Sequence, residues 1–207
     1  MTAHYFLTPD GPEQRMELEV QLRGQQLRVV TADGVFSPKA LDKGTAVLLE
    51  EVPDPVGREF LDLGCGWGPI TLAMGLGSTA HDDSRVTAVD VNERSLALTR
   101  DNAAAHGVRV EVCLPDEVPP ERQFDVLWSN PPIRIGKEAL HKLLLRWLPR
   151  LSPTGEAWLV VQKNLGADSL QKWMLTALPE ATGTAWDVER VSTSKGFRVL
   201  RVSRSAR

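Results

Sequence analysis

Two short segments of this sequence combine residue types and spacing suited to chemistry. One is Leu61-Asp62-Leu63-Gly64-Cys65-Gly66-Trp67-Gly68-Pro69 and the other is Ser129-Asn130-Pro131-Pro132-Ile133-Arg134. In the first, glycines at alternate positions let the backbone turn tightly and approach a ligand closely. The spacing is GxGxG, whereas the dinucleotide fingerprint GxGxxG has its third glycine one place later. An acid, Asp62, stands two residues ahead of the first glycine. A pyrophosphate wants open N–H groups and is repelled by a nearby carboxylate. The amino acid end of S-adenosylmethionine (SAM) carries an ammonium, which wants one. Asp62, directly or through water, and the loop Gly64, Cys65, Gly66 and Gly68 are therefore expected to hold SAM, and a nicotinamide oxidoreductase is disfavoured. Further on, Asp90 ends a strand-like run with Val91 beside it, where a carboxylate can accept both hydroxyls of an unphosphorylated ribose. Asp116, in a loop stiffened by Pro115 and Pro119, is placed to take the adenine amino group.

The second segment reads as a rigid clamp for a planar –NH₂ group. Exocyclic amines on bases and amides are poor nucleophiles, because the nitrogen lone pair is delocalised. Two acceptors that hold both N–H hydrogens make the nitrogen more tetrahedral and turn its lone pair toward an electrophile. The Asn130 side-chain oxygen and the Pro131 carbonyl are suited to this, and Pro131 and Pro132 stiffen the turn so that little reorganisation remains. In-line placement of nitrogen and methyl adds a proximity effect. Ile133 offers a flat apolar contact where related motifs carry an aromatic, which weakens an adenine target. Arg134 can pair with a phosphate or a base edge. Asn130 thus sits between cofactor and target, and the two segments together imply methyl transfer from SAM, with S-adenosylhomocysteine (SAH) as product and no metal.

These residues must be positioned by the elements around them, and the pattern is regular. Strand-like runs at Glu59–Leu63, Arg85–Asp90, Val108–Cys113, Phe124–Ser129 and Glu156–Val161 alternate with helix-like runs at Pro69–Met74, Glu93–His106, Lys137–Leu151 and Asp168–Leu178. Asn92 can cap the second of these helices, and Gly107 stops it. Such alternation predicts an α/β fold, a doubly wound, mostly parallel sheet. Trp186–Val191 and Phe197–Val202 flank Ser194-Lys195-Gly196 and predict an antiparallel C-terminal hairpin, giving seven strands in a Rossmann-like, class I methyltransferase arrangement. Ahead of the core, two alternating runs around Gly24 predict a β-hairpin, followed by a helix from Asp42 to Glu51. Pro53-Asp54-Pro55-Val56-Gly57 is the expected boundary between an N-terminal extension, residues 1–52, and a methyltransferase domain, residues 53–207.

Bulk properties fit this reading. The chain has 207 residues, 42% of them hydrophobic and 25% charged, as expected of a globular domain with a sizeable core. A net charge of −3 argues against coating nucleic acid over the whole surface, though not against a local basic face. From Asp187 onward there are six basic residues against two acidic ones, and Lys137, Lys142, Arg146 and Arg150 share one helix-like run. A solvated face is the plain reading of that run, and an RNA backbone contact the alternative. Cys65 and Cys113 and four dispersed histidines form no metal or disulfide pattern, which suits a reducing cytoplasm. No signal-peptide pattern or membrane-length apolar run is visible.

The chain resembles the small-domain guanine-N2 methyltransferase family, whose known members modify 16S ribosomal RNA. Asp62, Gly64, Gly66 and Gly68 match its cofactor motif, and Asn130, Pro131 and Pro132 its catalytic motif. His4-Tyr5-Phe6, Gly34-Val35-Phe36-Ser37 and Leu41-Asp42-Lys43-Gly44-Thr45 look like its leading segment, which covers the cofactor and helps shape the target pocket. Val161-Gln162-Lys163-Asn164-Leu165-Gly166 and Lys195-Gly196-Phe197-Arg198-Val199 look like the short, standalone members, and the chain is too short for the additional N-terminal domain of larger ones. The resemblance implies an RNA guanine-N2 methyltransferase acting on 16S rRNA or the small ribosomal subunit, with Phe36 and Ile133 holding the base. The alternatives are a glutamine-N5 protein methyltransferase, which Ile133 disfavours, and a SAM-binding factor without catalysis.

Overall fold

The computed structural model describes residues 8, 9, 11–77 and 83–205. His4-Tyr5-Phe6, His81 and Arg207 lie outside the described residues. The body is one seven-stranded sheet built from β3 (Glu59–Leu63), β4 (Arg85–Val89), β5 (Val110–Cys113), β6 (Phe124–Ser129), β7 (Leu151–Gln162), β8 (Trp186–Ser194) and β9 (Phe197–Arg204), in the order β5-β4-β3-β6-β7-β9-β8. β3 to β7 are parallel, and β9 and β8 finish the sheet antiparallel. The expected Rossmann-like arrangement is therefore the observed one.

Alternation along each strand explains the layers. In β3, Phe60 faces one cluster and Leu61 the other; in β6, Val126 and Trp128 face the first and Leu127 the second. The first face is covered by α1 (Lys43–Glu51), α2 (Pro69–Gly75) and α3 (Glu93–Ala105) through residues such as Leu48, Leu72 and Leu98. The second is covered by α4 (Lys137–Trp147) and α5 (Ala167–Thr182) through Leu144, Trp147 and Met174. All six of these side chains are fully buried, and each contributes about 1.5–3 kcal/mol from removal of apolar surface from water.

The order places β3 and β6 side by side, although β4 and β5 intervene in sequence. The connection from β3 leads to one side and that from β6 to the other. Ligands in such sheets bind at that switch point, beyond the carboxyl ends of the strands. Both chemical segments begin there. Ser129 Oγ donates to the Leu63 carbonyl at 2.7 Å and ties the two strand ends together.

The N-terminal hairpin, β1 (Arg15–Leu22) and β2 (Gln25–Ala32), forms a separate two-stranded sheet. Arg23 and Gly24 both have positive φ (47° and 84°), the geometry of a type I′ turn. Leu22, Val29 and Ala32 enter the same cluster as Leu72 and Leu98. One buried side chain fastens hairpin to body: Asn102 on α3 accepts from Val30 N (2.7 Å) and donates to Val30 O and Trp67 O, both at 2.8 Å.

Several strand ends shift by a few residues, as in β5, β7 and β8, and two helix ends differ from the sequence expectation for a local reason. α4 ends at Trp147, not at residue 151, because Pro149 has no N–H for an α-helical bond; Leu148–Arg150 tighten into a 3₁₀ turn and Leu151 already begins β7. α5 does not stop at Leu178 but runs through Pro179 for a further turn, closed by Gly183 (φ 67°), whose N–H donates to the Pro179 carbonyl at 2.9 Å. Among the described residues no helix is long and apolar enough to cross a membrane, and no group of three or more His, Cys, Asp and Glu is placed to hold a metal.

Asn102→Ala strands three backbone groups and is expected to lower unfolding free energy by about 2–4 kcal/mol. Urea denaturation measures this, and a loss too small to resolve would contradict the assigned fastening.

Candidate active site

A cavity of about 290 Å³ opens over the carboxyl ends of the parallel strands, as the topology requires. Gly64, Gly66, Asp90, Val91, Ser95 and Pro115 line one side of it, and Asn130, Pro131, Pro132, Ile133 and Arg134 another. Phe36 and Asp42 come from the N-terminal segment, and Gln162, Leu165 and Phe197 from the far side of the sheet.

The glycine loop is built by its own backbone. Gly64 N and Cys65 N both donate to the Val89 carbonyl, and Gly66 N donates to Asp90 Oδ2 at 3.0 Å. Gly64 and Gly66 have φ of 82° and 58°, and a Cβ at either would enter open space. Their faces are thus a backbone wall that a ligand can approach closely. Asp90 Oδ1 accepts from Asn92 N at 2.9 Å, so the carboxylate is held from both sides. Burial pushes the Asp90 pKa up, and the backbone bonds from Asn92, Gly66 and Val91 oppose that shift.

Of the two routes expected for Asp62, direct or through water, the structure closes the direct one. Asp62 is sealed behind the loop, wholly buried, and does not line the cavity. Its Oδ2 accepts from Thr71 Oγ1 (2.6 Å) and Thr71 N (2.9 Å), while Oδ1 has no partner among the described residues. Desolvation pushes its pKa up to about 7 against the Thr71 bonds, with Asp90 adding repulsion. The seal leaves no surface of Asp62 for direct contact with a group in the cavity. Cys65 is likewise buried, with its Sγ 3.3 Å from Thr99 Oγ1; burial and then the charges of Asp90 and Asp62 push its thiol well up, which suits packing and not reactivity. Gly68 does not line the cavity: at φ 94° it starts α2, pressed against Thr99. Asp116 is turned away as well. Its carboxylate is exposed and paired with Arg146 at 2.7 Å, while its neighbour Pro115 takes the place on the cavity wall.

The Asn-Pro-Pro segment folds into a tight turn. Pro132, at φ −74° and ψ 74°, is the centre of an inverse γ-turn in which Ile133 N donates to the Pro131 carbonyl at 2.8 Å. That oxygen keeps one lone pair. Asn130 Nδ2 donates to Asp42 Oδ2 (2.8 Å) and Thr45 Oγ1 (3.0 Å). With both hydrogens of the amide engaged, Oδ1 is the carboxamide atom left to the cavity. The arrangement can therefore present two acceptors beside a backbone-walled ligand site. Gln162, Leu165 and Phe197 on the wall were visible in the sequence only as parts of the resemblance, since nothing local marks a residue at the end of β7 or the start of β9 as facing a site. Ser95 and Pro115 carried no separate signal.

The sequence profile described as Methyltransferase small domain matches residues 26–201. The chain belongs to the methyltransferase small-domain family. It is a SAM-dependent methyltransferase. An uncharacterized protein of Bacillus subtilis, YbxB, is 30% identical, covering 99% of this chain and all of its own. The Ribosomal RNA small subunit methyltransferase C of Pseudomonas entomophila is 32% identical over 90% of this chain and 54% of its own length, so this methyltransferase spans about half of that relative. The T. thermophilus 16S rRNA N2 G1207 methyltransferase, in complex with AdoMet and guanosine, superposes with a TM-score of 0.74 over 95% of this chain and 52% of that one. At 22% identity that likeness concerns the fold.

Because the folded-state pKa of Asp62 lies above its unfolded value, the native methyltransferase binds the extra proton. Its contribution to stability is fully present below about pH 4 and is lost as pH rises toward about 7. Asp62→Asn, which removes the buried charge, is expected to raise Tm relative to wild type at pH 8 and to lose that advantage at pH 5. Thermal unfolding at the two pH values measures it; an advantage that grows toward acid would contradict the assigned burial.

Proposed function

We propose that this methyltransferase transfers the methyl group of SAM to an exocyclic amine, guanine N2 in the 16S RNA of the small ribosomal subunit. The observation that carries the reading is the meeting, in one cavity, of the backbone wall of Gly64 and Gly66, the Asp90 carboxylate and the Asn130 oxygen. The RNA target is supported by the names of relatives such as the one from Pseudomonas entomophila.

The cavity fits the cofactor by its chemistry. Open space beyond Gly64 and Gly66 admits a close ligand, Asp90 can accept ribose hydroxyls, and Val91 and Pro115 offer apolar contact to a purine. The unpartnered Oδ1 of Asp62 would meet the ammonium through water. When bound, the cofactor supplies an electrophilic methyl on a sulfonium and leaves as SAH. Asn130 Oδ1 and the free lone pair of the Pro131 carbonyl accept the two N–H hydrogens of the target and turn its lone pair toward that methyl. The rigid γ-turn keeps both acceptors fixed. As the C–N bond forms, the proton departs to water, so no strong base is required. Phe36 and Ile133 flank the base, and a paired base would first be flipped out.

The described part of the 1–52 extension serves in this reading as a cover on the sheet and its helices, not as a separate folding unit, since Leu22, Val29 and Leu48 share their core. The cation on the cavity wall is Arg134, and it is the one that meets RNA in this reading. Lys43 and Lys163, which follow the wall residues Asp42 and Gln162 in the chain, are exposed as well, and none of the three has an ion pair among the described residues. Lys137 apart, the cations of the basic helix and several of the hairpin are engaged: Lys142 with Glu138, Arg146 with Asp116, Lys195 with Glu50 and Arg201 with Glu189, while Arg150 donates to backbone carbonyls. In this reading the enzyme works in the cytoplasm, where small subunits are made.

Transfer of tritiated methyl from SAM to 16S RNA and small subunits of an unmodified strain tests the reading. N2-methylguanosine is expected, and Asn130→Ala is expected to lower turnover by about 100-fold or more with SAM affinity within a few fold. Label in protein and none in RNA would transfer the reading to glutamine N5; no turnover of bound SAM would leave a binding factor. Arg134→Ala is expected to weaken RNA binding and flatten the salt dependence of log K by roughly 0.7–0.9, measured by fluorescence anisotropy. An unchanged slope would remove Arg134 from the RNA contact.

A further inference from the structure

Building on the proposed methyl transfer, we propose that Asp42, with Thr45, is a positioning residue that fixes the Asn130 carboxamide with its oxygen toward the target amine. A primary amide has almost the same shape in its two orientations. One presents an acceptor to the cavity and the other a donor, and only the acceptor can hold an –NH₂ group. Nothing in the Asn-Pro-Pro turn itself distinguishes them.

The first turn of α1 does. Asp42 Oδ2 accepts from Asn130 Nδ2 at 2.8 Å, and a carboxylate oxygen offers lone pairs and no hydrogen. The opposite orientation would set the amide oxygen against that oxygen, lone pair to lone pair. Thr45 Oγ1 takes the second amide hydrogen at 3.0 Å from a nearly closed environment. Asp42 is itself fixed, because the same Oδ2 caps α1 by accepting from Gly44 N (2.7 Å) and Thr45 N (3.0 Å). Gly44 allows this close approach: a Cβ there would stand 2.9 Å from the Phe197 ring and 3.0 Å from Asp42 Oδ2. The N-terminal segment thereby reaches across 88 residues of sequence to set the polarity of the catalytic turn.

Capping and orienting can be separated. In Asp42→Ser the hydroxyl still caps α1 but ends short of Asn130, whereas the Asp42→Asn oxygen can accept all three bonds. Asp42→Ser is expected to keep the wild-type Tm and SAM affinity while lowering kcat by roughly 10- to 100-fold with little change in KM. Asp42→Asn restores most of the rate. In an Asn130→Ala background, adding Asp42→Ser costs nothing further, because Asp42 acts through the missing amide. Multiplying losses, or a full rate in Asp42→Ser, overturns the proposal. A readout free of turnover is the ¹⁵N side-chain signal of Asn130, whose two hydrogens should exchange slowly in wild type and quickly in Asp42→Ser. Equal exchange in both overturns the clamp even if RNA is methylated. Asp42-dependent protection in a wild-type protein that methylates no RNA supports the clamp and refutes the proposed reaction instead.

Discussion

A carboxamide that must hold an amine is useful in one orientation only, and its own shape does not select that orientation. The hydrogen bond from Asn130 Nδ2 to Asp42 Oδ2 makes the selection. It requires α1 to start beside the end of β6, which requires the N-terminal segment to pack on the sheet's first face and Gly44 to admit the Phe197 ring. The proposed chemistry therefore depends on a contact between the part of the chain that precedes the sheet and the strand at its centre.

The sheet order supplies the rest. Adjacency of β3 and β6 brings the glycine loop and the Asn-Pro-Pro turn to one switch point, and Ser129 to Leu63 bonding keeps their ends level. α3 holds the other boundary. Its cap Asn92 receives Arg94 N and Ser95 N while donating to Gly34 O, and Asn102 grips both β2 and the loop at Trp67. The same helix thus fixes the cofactor wall and the segment that carries Phe36.

Much of this was legible in the sequence where local backbone chemistry decides. Alternating strands and helices gave the parallel sheet, the GxGxG spacing the loop, and the paired prolines a turn with one conformation. What escaped depends on partners distant in sequence. Asp62 reads as a ligand that acts directly or through water, and burial against Thr71 closes the direct route; burial is a tertiary property. Asp116 reads as an adenine contact, yet Arg146 draws its carboxylate outward. Six basic residues near the C-terminus suggest a nucleic-acid face, but four of those cations face carboxylates. The grip of Asp42 on Asn130 has no local signature at all.

The central claim concerns one atom, the Oδ1 of Asn130. A crystal structure with SAH and guanosine bound tests it most directly. The account predicts the exocyclic nitrogen about 2.7–3.2 Å from that oxygen, within reach of the Pro131 carbonyl, and Nδ2 still on Asp42. A guanosine amine turned to Asn130 Nδ2, or bound away from the Asn-Pro-Pro turn, would contradict it.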